Sequence, residues 1–149
     1  MNISNSFSIS SSALTAQRLR MDVISSNIAN AETTRASVSN GEAVPYKRKM
    51  VVLEPNKTSF GTMLQNQMRG SGSGDGVRVT EIREDQSPLK PVYDPSHPDA
   101  NAEGYVFMPN VDIAKEMVDM ISASRSYEAN VTALNSTKAM ISKALEIGR

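Results

Sequence analysis

The sequence predicts an α+β fold, in which two long terminal helices pack as a coiled-coil-like pair around a small antiparallel β-rich middle domain. Three observations carry that reading. Ile113, Met120, Tyr127, Leu134 and Ile141 recur every seven positions, and Met117, Ser124, Val131, Lys138 and Leu145 follow four residues on. This is the 3,4 spacing of a coiled-coil seam, sustained over about five heptads. Phe7, Leu14, Met21 and Ile28 repeat the interval more weakly near the start. Between the two ends, Pro and Gly punctuate short alternating runs that suit strands and turns.

The expected organisation is an N-terminal helical segment over 1–31, a β-rich domain over 32–109, and a long C-terminal helix over 110–149. Within the first helix, Leu14, Met21, Ile24 and Ile28 form the apolar stripe, widened by Ala13 and Val23. Its opposite surface is polar but nearly uncharged: Ser8, Ser11, Ser12, Thr15, Ser25 and Ser26. A solvated helix is normally laced with Lys and Glu pairs, so this face suits a crowded setting.

Thr33-Thr34, Asn40-Gly41 and Pro45 mark turns. Tyr46 to Glu54 reads as a strand stopped by Pro55, and Ser59 to Met68 as a short helix through Phe60, Leu64 and Met68. Gly70 to Gly76 has the composition of a flexible linker, part of an insertion near 58–76. Val77 to Arg83 alternates as a half-buried strand, Val92-Tyr93 is at most a short edge strand, and Tyr105 to Phe107 adds another. Asn110 is the expected N-cap of a helix from Val111 to Ile147, roughly 55 Å long at 1.5 Å per residue, with Gly148 as its stop.

Composition narrows the function. Lys+Arg and Asp+Glu both number 16, so no net field draws nucleic acid, and Lys47-Arg48-Lys49 is read as a solvated strand edge. The absence of cysteine removes disulfides, thiolate zinc sites and thiol catalysis. The first residues lack a basic segment followed by an apolar run, so no cleaved secretory signal is expected, and no run is long enough to span a bilayer.

No catalytic, cofactor-binding or metal-ligating residues are expected. The Gly70–Gly76 run lacks the Lys-Ser/Thr and following helix of a phosphate loop. Ser87-Pro88-Leu89-Lys90 matches S-x-x-K without its companion motifs. His97 is a lone histidine in a proline-rich turn, and Glu81, Glu84 and Asp85 suit the solvent side of a strand end. No small-molecule substrate is implied. The long apolar seam instead points to intermolecular packing, and its polar members Ser124 and Lys138 are the kind kept for register or partner choice.

The run Gly104-Tyr105-Val106-Phe107-Met108-Pro109-Asn110-Val111-Asp112, continuing through Glu116-Met117-Val118 and Ser122 to Asn130, resembles the C-terminal region of bacterial flagellar basal-body rod proteins. Ser12 to Arg18 and Ser26-Asn27-Ile28-Ala29-Asn30-Ala31 resemble the start of rod and hook axial proteins generally, and Pro88 with Val92 to Pro95 resembles the rod middle region. The likeness spans most of the chain outside 58–74. It implies a structural, non-enzymatic subunit of the proximal rod, the periplasmic drive shaft of the flagellum, exported through the flagellar type III apparatus without a cleaved signal.

The implied partners are copies of itself in a helical rod, other rod proteins, the rod–ring adaptor and the membrane-embedded MS ring. The expected assembly interface comprises Leu14, Met21, Ile24, Ile28, Ile113, Met117, Met120, Tyr127, Val131, Leu134, Ile141 and Leu145. Ser8, Ser11, Ser12 and Thr15 are expected to face an export channel. The alternative is a coiled-coil adaptor that binds one partner without polymerising.

Overall fold

The computed structural model describes residues 3–39, 42–56, 64 and 76–147. Helix α1 spans Ile3–Ala29 and helix α2 spans Ile113–Ile147, with six strands between them among the described residues. The strands are β1 (Ser37–Ser39), β2 (Glu42–Val44), β3 (Lys49–Pro55), β4 (Val77–Glu84), β5 (Lys90–Tyr93) and β6 (Tyr105–Met108). They form three separate two-stranded ribbons, β1–β2, β3–β4 and β5–β6, where a single small sheet or hairpin pair was expected. The predicted helix over 59–68, the Asn40-Gly41 turn, the linker up to Asp75 and the Gly148 stop lie outside the described residues, Leu64 excepted.

Each ribbon is antiparallel. Val38 faces Ala43 in the first, and Val92 faces Val106 in the third. In the second, the Asn56 amide donates to the Gly76 carbonyl at one end and the Asp85 amide to the Arg48 carbonyl at the other, each at 2.7 Å. β3 runs through Pro55, later than expected, because an edge position spares the ladder the missing N–H.

α2 begins at Ile113, two residues later than the predicted Val111. Its cap is Asp112, whose Oδ1 accepts from the Ala114 and Lys115 amides at 3.0 and 3.4 Å. Asn110 is engaged elsewhere: its Oδ1 accepts from the Arg48 amide, and its Nδ2 donates to the Asp85 and Ser87 carbonyls. This clasp holds the α2 lead-in against the ends of β3 and β4, which an N-cap could not do.

The chain divides into two compact units, and each draws on both helices. One contains residues 3–19, 52–56, 76–81 and 123–147, and the other 20–51 and 82–122. Among the described residues, buried apolar side chains are few and modest in size: Ala16 and Ala123 in the first unit, and Val23, Ile24, Tyr46, Val106 and Val111 in the second. In the first unit the Ser12 hydroxyl donates to the Ile9 carbonyl and accepts from the Val77 amide at 3.2 Å, tying α1 to the start of β4.

The third ribbon depends on one glycine. Gly104 adopts φ +82°, and a Cβ there would lie 3.0 Å from Tyr93 Cε2 and 3.3 Å from Pro95 Cβ. Tyr93 in turn packs edge-on against Tyr105, with centroids 5.3 Å apart. Gly104→Ala is expected to lower unfolding stability by about 1–2 kcal/mol, from left-handed strain plus displacement of Tyr93. Urea unfolding followed by tyrosine fluorescence checks this, and an unchanged midpoint would contradict it.

Candidate functional site

The second unit is organised by buried polar side chains. Asn27, near the end of α1, is 1% exposed and uses its whole amide. Its Nδ2 donates to the Lys49 carbonyl at 2.8 Å and to Glu116 Oε2 at 3.0 Å. Its Oδ1 accepts from the Lys49 amide at 2.9 Å and the Tyr46 hydroxyl at 3.0 Å. The side chain thus pairs with both backbone groups of Lys49 as a neighbouring strand would. Only a carboxamide of this length supplies both donor and acceptor there.

Glu116, in the first turn of α2, is 0% exposed. Its Oε1 accepts from Arg48 Nε at 2.6 Å. Arg48 also lies 3.6 Å from Asp85 and 3.5 Å from Asp119, which in turn pairs with Arg20 at 3.5 Å. The contacts Arg20–Asp119 and Asn27–Glu116 run oppositely along the two helices, so α1 and α2 are antiparallel in this unit. The expected solvated edge at Lys47-Arg48-Lys49 is therefore corrected at its centre. Arg48 points inward because a buried carboxylate needs a hydrogen-bonded cation. Lys49 stays at the surface with its ammonium 5.7 Å from the Tyr46 ring centroid.

Burial disfavours the charged form of Arg48, yet the Glu116 hydrogen bond and the charges of Glu116, Asp85 and Asp119 outweigh it and raise its pKa. Asp85 is held below the usual carboxylate range first by the Ser87 hydroxyl and amide, and further by Arg48. The expectation of Asp85 as a solvent-side acid is corrected accordingly, since its carboxylate is half-buried against Arg48. A second cluster joins the turn after α1 to the loop between β5 and β6. There Asp99 is lowered by its hydrogen bonds from Arg35 and Thr34. His97 accepts the Asp99 amide at 3.1 Å, the role of a turn residue. Among the described residues no three His, Cys, Asp or Glu side chains converge as a metal site, and no helix is long and apolar enough to cross a membrane.

The helix faces distribute the predicted interface residues unequally. On α1, Ile24 is buried and Leu14, Met21 and Ile28 are half-buried, while Phe7 is exposed. On α2, Met120, Tyr127, Val131, Leu134 and Ile141 are half-buried, whereas Ile113, Met117 and Leu145 are exposed. Beside Met120, Tyr127 and Leu134, the line Glu116, Ala123, Asn130 and Thr137, three residues on from the first series, is shielded within the chain, as are Ser124 and Val131 of the series four residues on. Ser8, Ser11 and Thr15 are exposed together on α1, but Ser12 belongs to the β4 attachment.

Sequence reasoning missed Asn27, Arg48, Glu116 and Asn110 as the residues that hold the unit together. The available signal was the seven-residue line Glu116, Ala123, Asn130 and Thr137, small and polar where a helix core would be expected to be apolar. Asn27 also lies inside the Ser26–Ala31 motif.

A polar clasp thus joins the two terminal helices to short ribbons and leaves large apolar side chains outside. Two family profiles match its ends: "Flagella basal body rod protein" over residues 7–36 and "Flagellar basal body rod FlgEFG protein C-terminal" over residues 102–147. The flagellar basal-body rod protein FlgC of Bacillus subtilis is 61% identical over 150 residues, covering 100% of both chains. The FlgC proteins of Borreliella burgdorferi (47%, covering 99% of this chain and 98% of that one) and of Escherichia coli O157:H7 (45%, covering 100% of both) are also similar. The chain belongs to the FlgC family of flagellar basal-body rod proteins.

Removing Arg48 leaves the buried Glu116 carboxylate without a cation, with only the Asn27 amide bonded to it among the described residues. Arg48→Ala is expected to cost about 3–5 kcal/mol, and the Arg48→Met, Glu116→Met pair considerably less, in chemical denaturation of the purified chain. Equal losses in the two variants would contradict the clasp. Acid titration supplies a second test. Asp85 and Asp99 have folded pKa values below their unfolded ones, so their contribution is fully present above the unfolded value and is lost as pH falls through the folded one. Melting temperature should therefore hold near neutrality and fall below about pH 4, less steeply in Asp99→Asn.

Proposed function

We propose that this FlgC-family chain is a structural subunit of the flagellar basal-body rod that polymerises through its terminal helices. The observation that carries the reading is the set of large apolar side chains left exposed along α2: Ile113, Met117, Val118, Ile121, Met140 and Leu145. A chain of 149 residues with so thin a buried core gains by covering that surface between subunits. The half-buried residues Met120, Tyr127, Val131, Leu134 and Ile141, with Leu14, Met21, Ile24 and Ile28, form the intrachain side of the same seam. The exposed ones extend it to neighbours.

In this reading the subunit acts without catalysis, in the periplasmic part of the basal body. It is delivered by the flagellar type III export apparatus without signal cleavage, beside other rod proteins, the rod–ring adaptor and the MS ring. Ser8, Ser11 and Thr15 form the uncharged face that lines the export channel, with Ser12 reassigned to the fold. Small hydroxyls there neither hold apolar segments nor trap charged ones in transit.

Two variants test the assembly face. Met140→Asp and Leu145→Asp replace exposed side chains, so stability of the purified chain should change by less than about 0.5 kcal/mol. Cells carrying either should make normal amounts of the protein, yet lack complete rods and fail to swim. Normal swimming in both would refute the proposal. For the channel face, Ser11→Lys should still permit rods while slowing secretion of hook protein more than Ser11→Thr does. Loss of rods in every Ser11 variant would show that the face is packed.

A further inference from the structure

One cleft in the second unit is not used by the clasp. It encloses about 450 Å³ and is lined by Asp22, Val23 and Ser26 of α1, Lys49 of β3, and Ile82 and Glu84 of β4. Val23 and the half-exposed Ile82 supply its apolar lining. Two carboxylates line it against one ammonium, which lies 5.7 Å from the Tyr46 ring centroid. Among the described residues, neither the Asp22 nor the Glu84 carboxylate makes a hydrogen bond or ion pair. The cleft is thus shaped for an apolar body that carries a cationic head.

α2 of the same unit presents that chemistry. Met117, Val118 and Ile121 are 54%, 66% and 54% exposed on adjacent turns. Lys115, one turn before Val118, is exposed and has no ion pair among the described residues. The neighbouring acids are occupied: Asp112 caps the helix, Glu116 holds Arg48 and Asn27, and Asp119 pairs with Arg20 and Arg48. The segment therefore offers an uncompensated positive charge beside an apolar ridge.

We propose that the cleft receives the Lys115–Ile121 segment of α2 from a second copy of this chain. The ridge of Met117, Val118 and Ile121 covers Val23 and Ile82, and the Lys115 ammonium lies between Asp22 and Glu84. Cleft and ridge are different patches, so in the proposed rod the contact repeats head to tail from copy to copy, with a rotation between copies that leaves the series open. A cross-linked dimer with no longer species would instead mark a closed two-fold pair and overturn this repeat. The proposal rests on the rod reading and names the contact by which that rod grows.

The chain contains no cysteine, so introduced thiols report single contacts. Ser26→Cys and Val118→Cys are placed in one full-length chain expressed in flagellated cells, and isolated basal bodies are treated with a short bismaleimide. The expected result is a ladder of cross-linked chains from the double variant and none from either single variant. Lys115→Glu in the double variant should lower the yield by about tenfold, through like-charge repulsion, and adding Glu84→Lys should restore it. Chain present in basal bodies without cross-links would overturn this contact alone. So would a dimer from Val118→Cys by itself, which indicates a ridge-to-ridge pair, or a yield that ignores Lys115→Glu. Absence of the wild-type chain from basal bodies would overturn the rod reading and this contact together.

Discussion

The carboxylate of Glu116 is the constraint on which the second unit depends. Fully buried, it would be strongly destabilising without partners, and it obtains them from two distant stretches of chain. Asn27 comes from α1 and Arg48 from the lead-in to β3, at sequence separations of 89 and 68 residues. A buried ion pair is weak evidence of net stability compared with an apolar equivalent, but it discriminates sharply between alignments. A shift of α2 by one residue would strand Glu116 and take a partner from both Arg48 and Asn27. The clasp therefore acts mainly as a register device, fixing α1, β3 and α2 in one arrangement.

That choice has a consequence for the helix surfaces. Positions that a free-standing helix pair would fill with Leu or Ile are occupied here by Ala16, Asn27, Glu116 and Ala123, the most shielded side chains on the two helices. Small residues let backbones approach closely, and polar ones specify how. The larger apolar side chains at Met117, Val118, Ile121, Met140 and Leu145 are displaced outward. In the proposed rod, hydrophobic area is thereby reserved for contacts between subunits while polar contacts set the fold within each one. Such a subunit is modestly stable alone and gains on assembly.

Much of this was legible in the sequence, for reasons that separate by type of interaction. Both helices, the β4 alternation and the short strands at β5 and β6 follow from periodicity, which depends on local sequence alone. Family membership was legible in the Gly104–Asp112 and Ser26–Ala31 runs. The shielded line from Glu116 to Thr137 was not. Met117 and Glu116 are adjacent, and hydrophobicity alone selects Met117; the choice of Glu116 rests on Arg48 and Asn27, which no local pattern announces. The same blindness assigned Arg48 to solvent and Asn110 to a cap. In each case a polar side chain acts over a distance in sequence that composition and spacing do not encode.

Long separation also orders the events of folding. Contacts between remote segments form late, because their closure entropy must be overcome before they contribute. The β5–β6 ribbon and the Asp112 cap are local and can form as soon as their residues are free. The clasp cannot, since Asn27 and Arg48 must wait for Glu116. If the chain emerges N-terminus first, α1 and β3 can meet through Asn27 and Lys49 before Glu116 arrives to complete the clasp. The Asp22, Val23 and Glu84 cleft draws its lining from α1 and the second ribbon and none from α2, whose Lys115–Ile121 segment arrives last. A subunit built this way withholds the ridge of its proposed growth contact until the chain is whole, which guards a narrow assembly path against premature association.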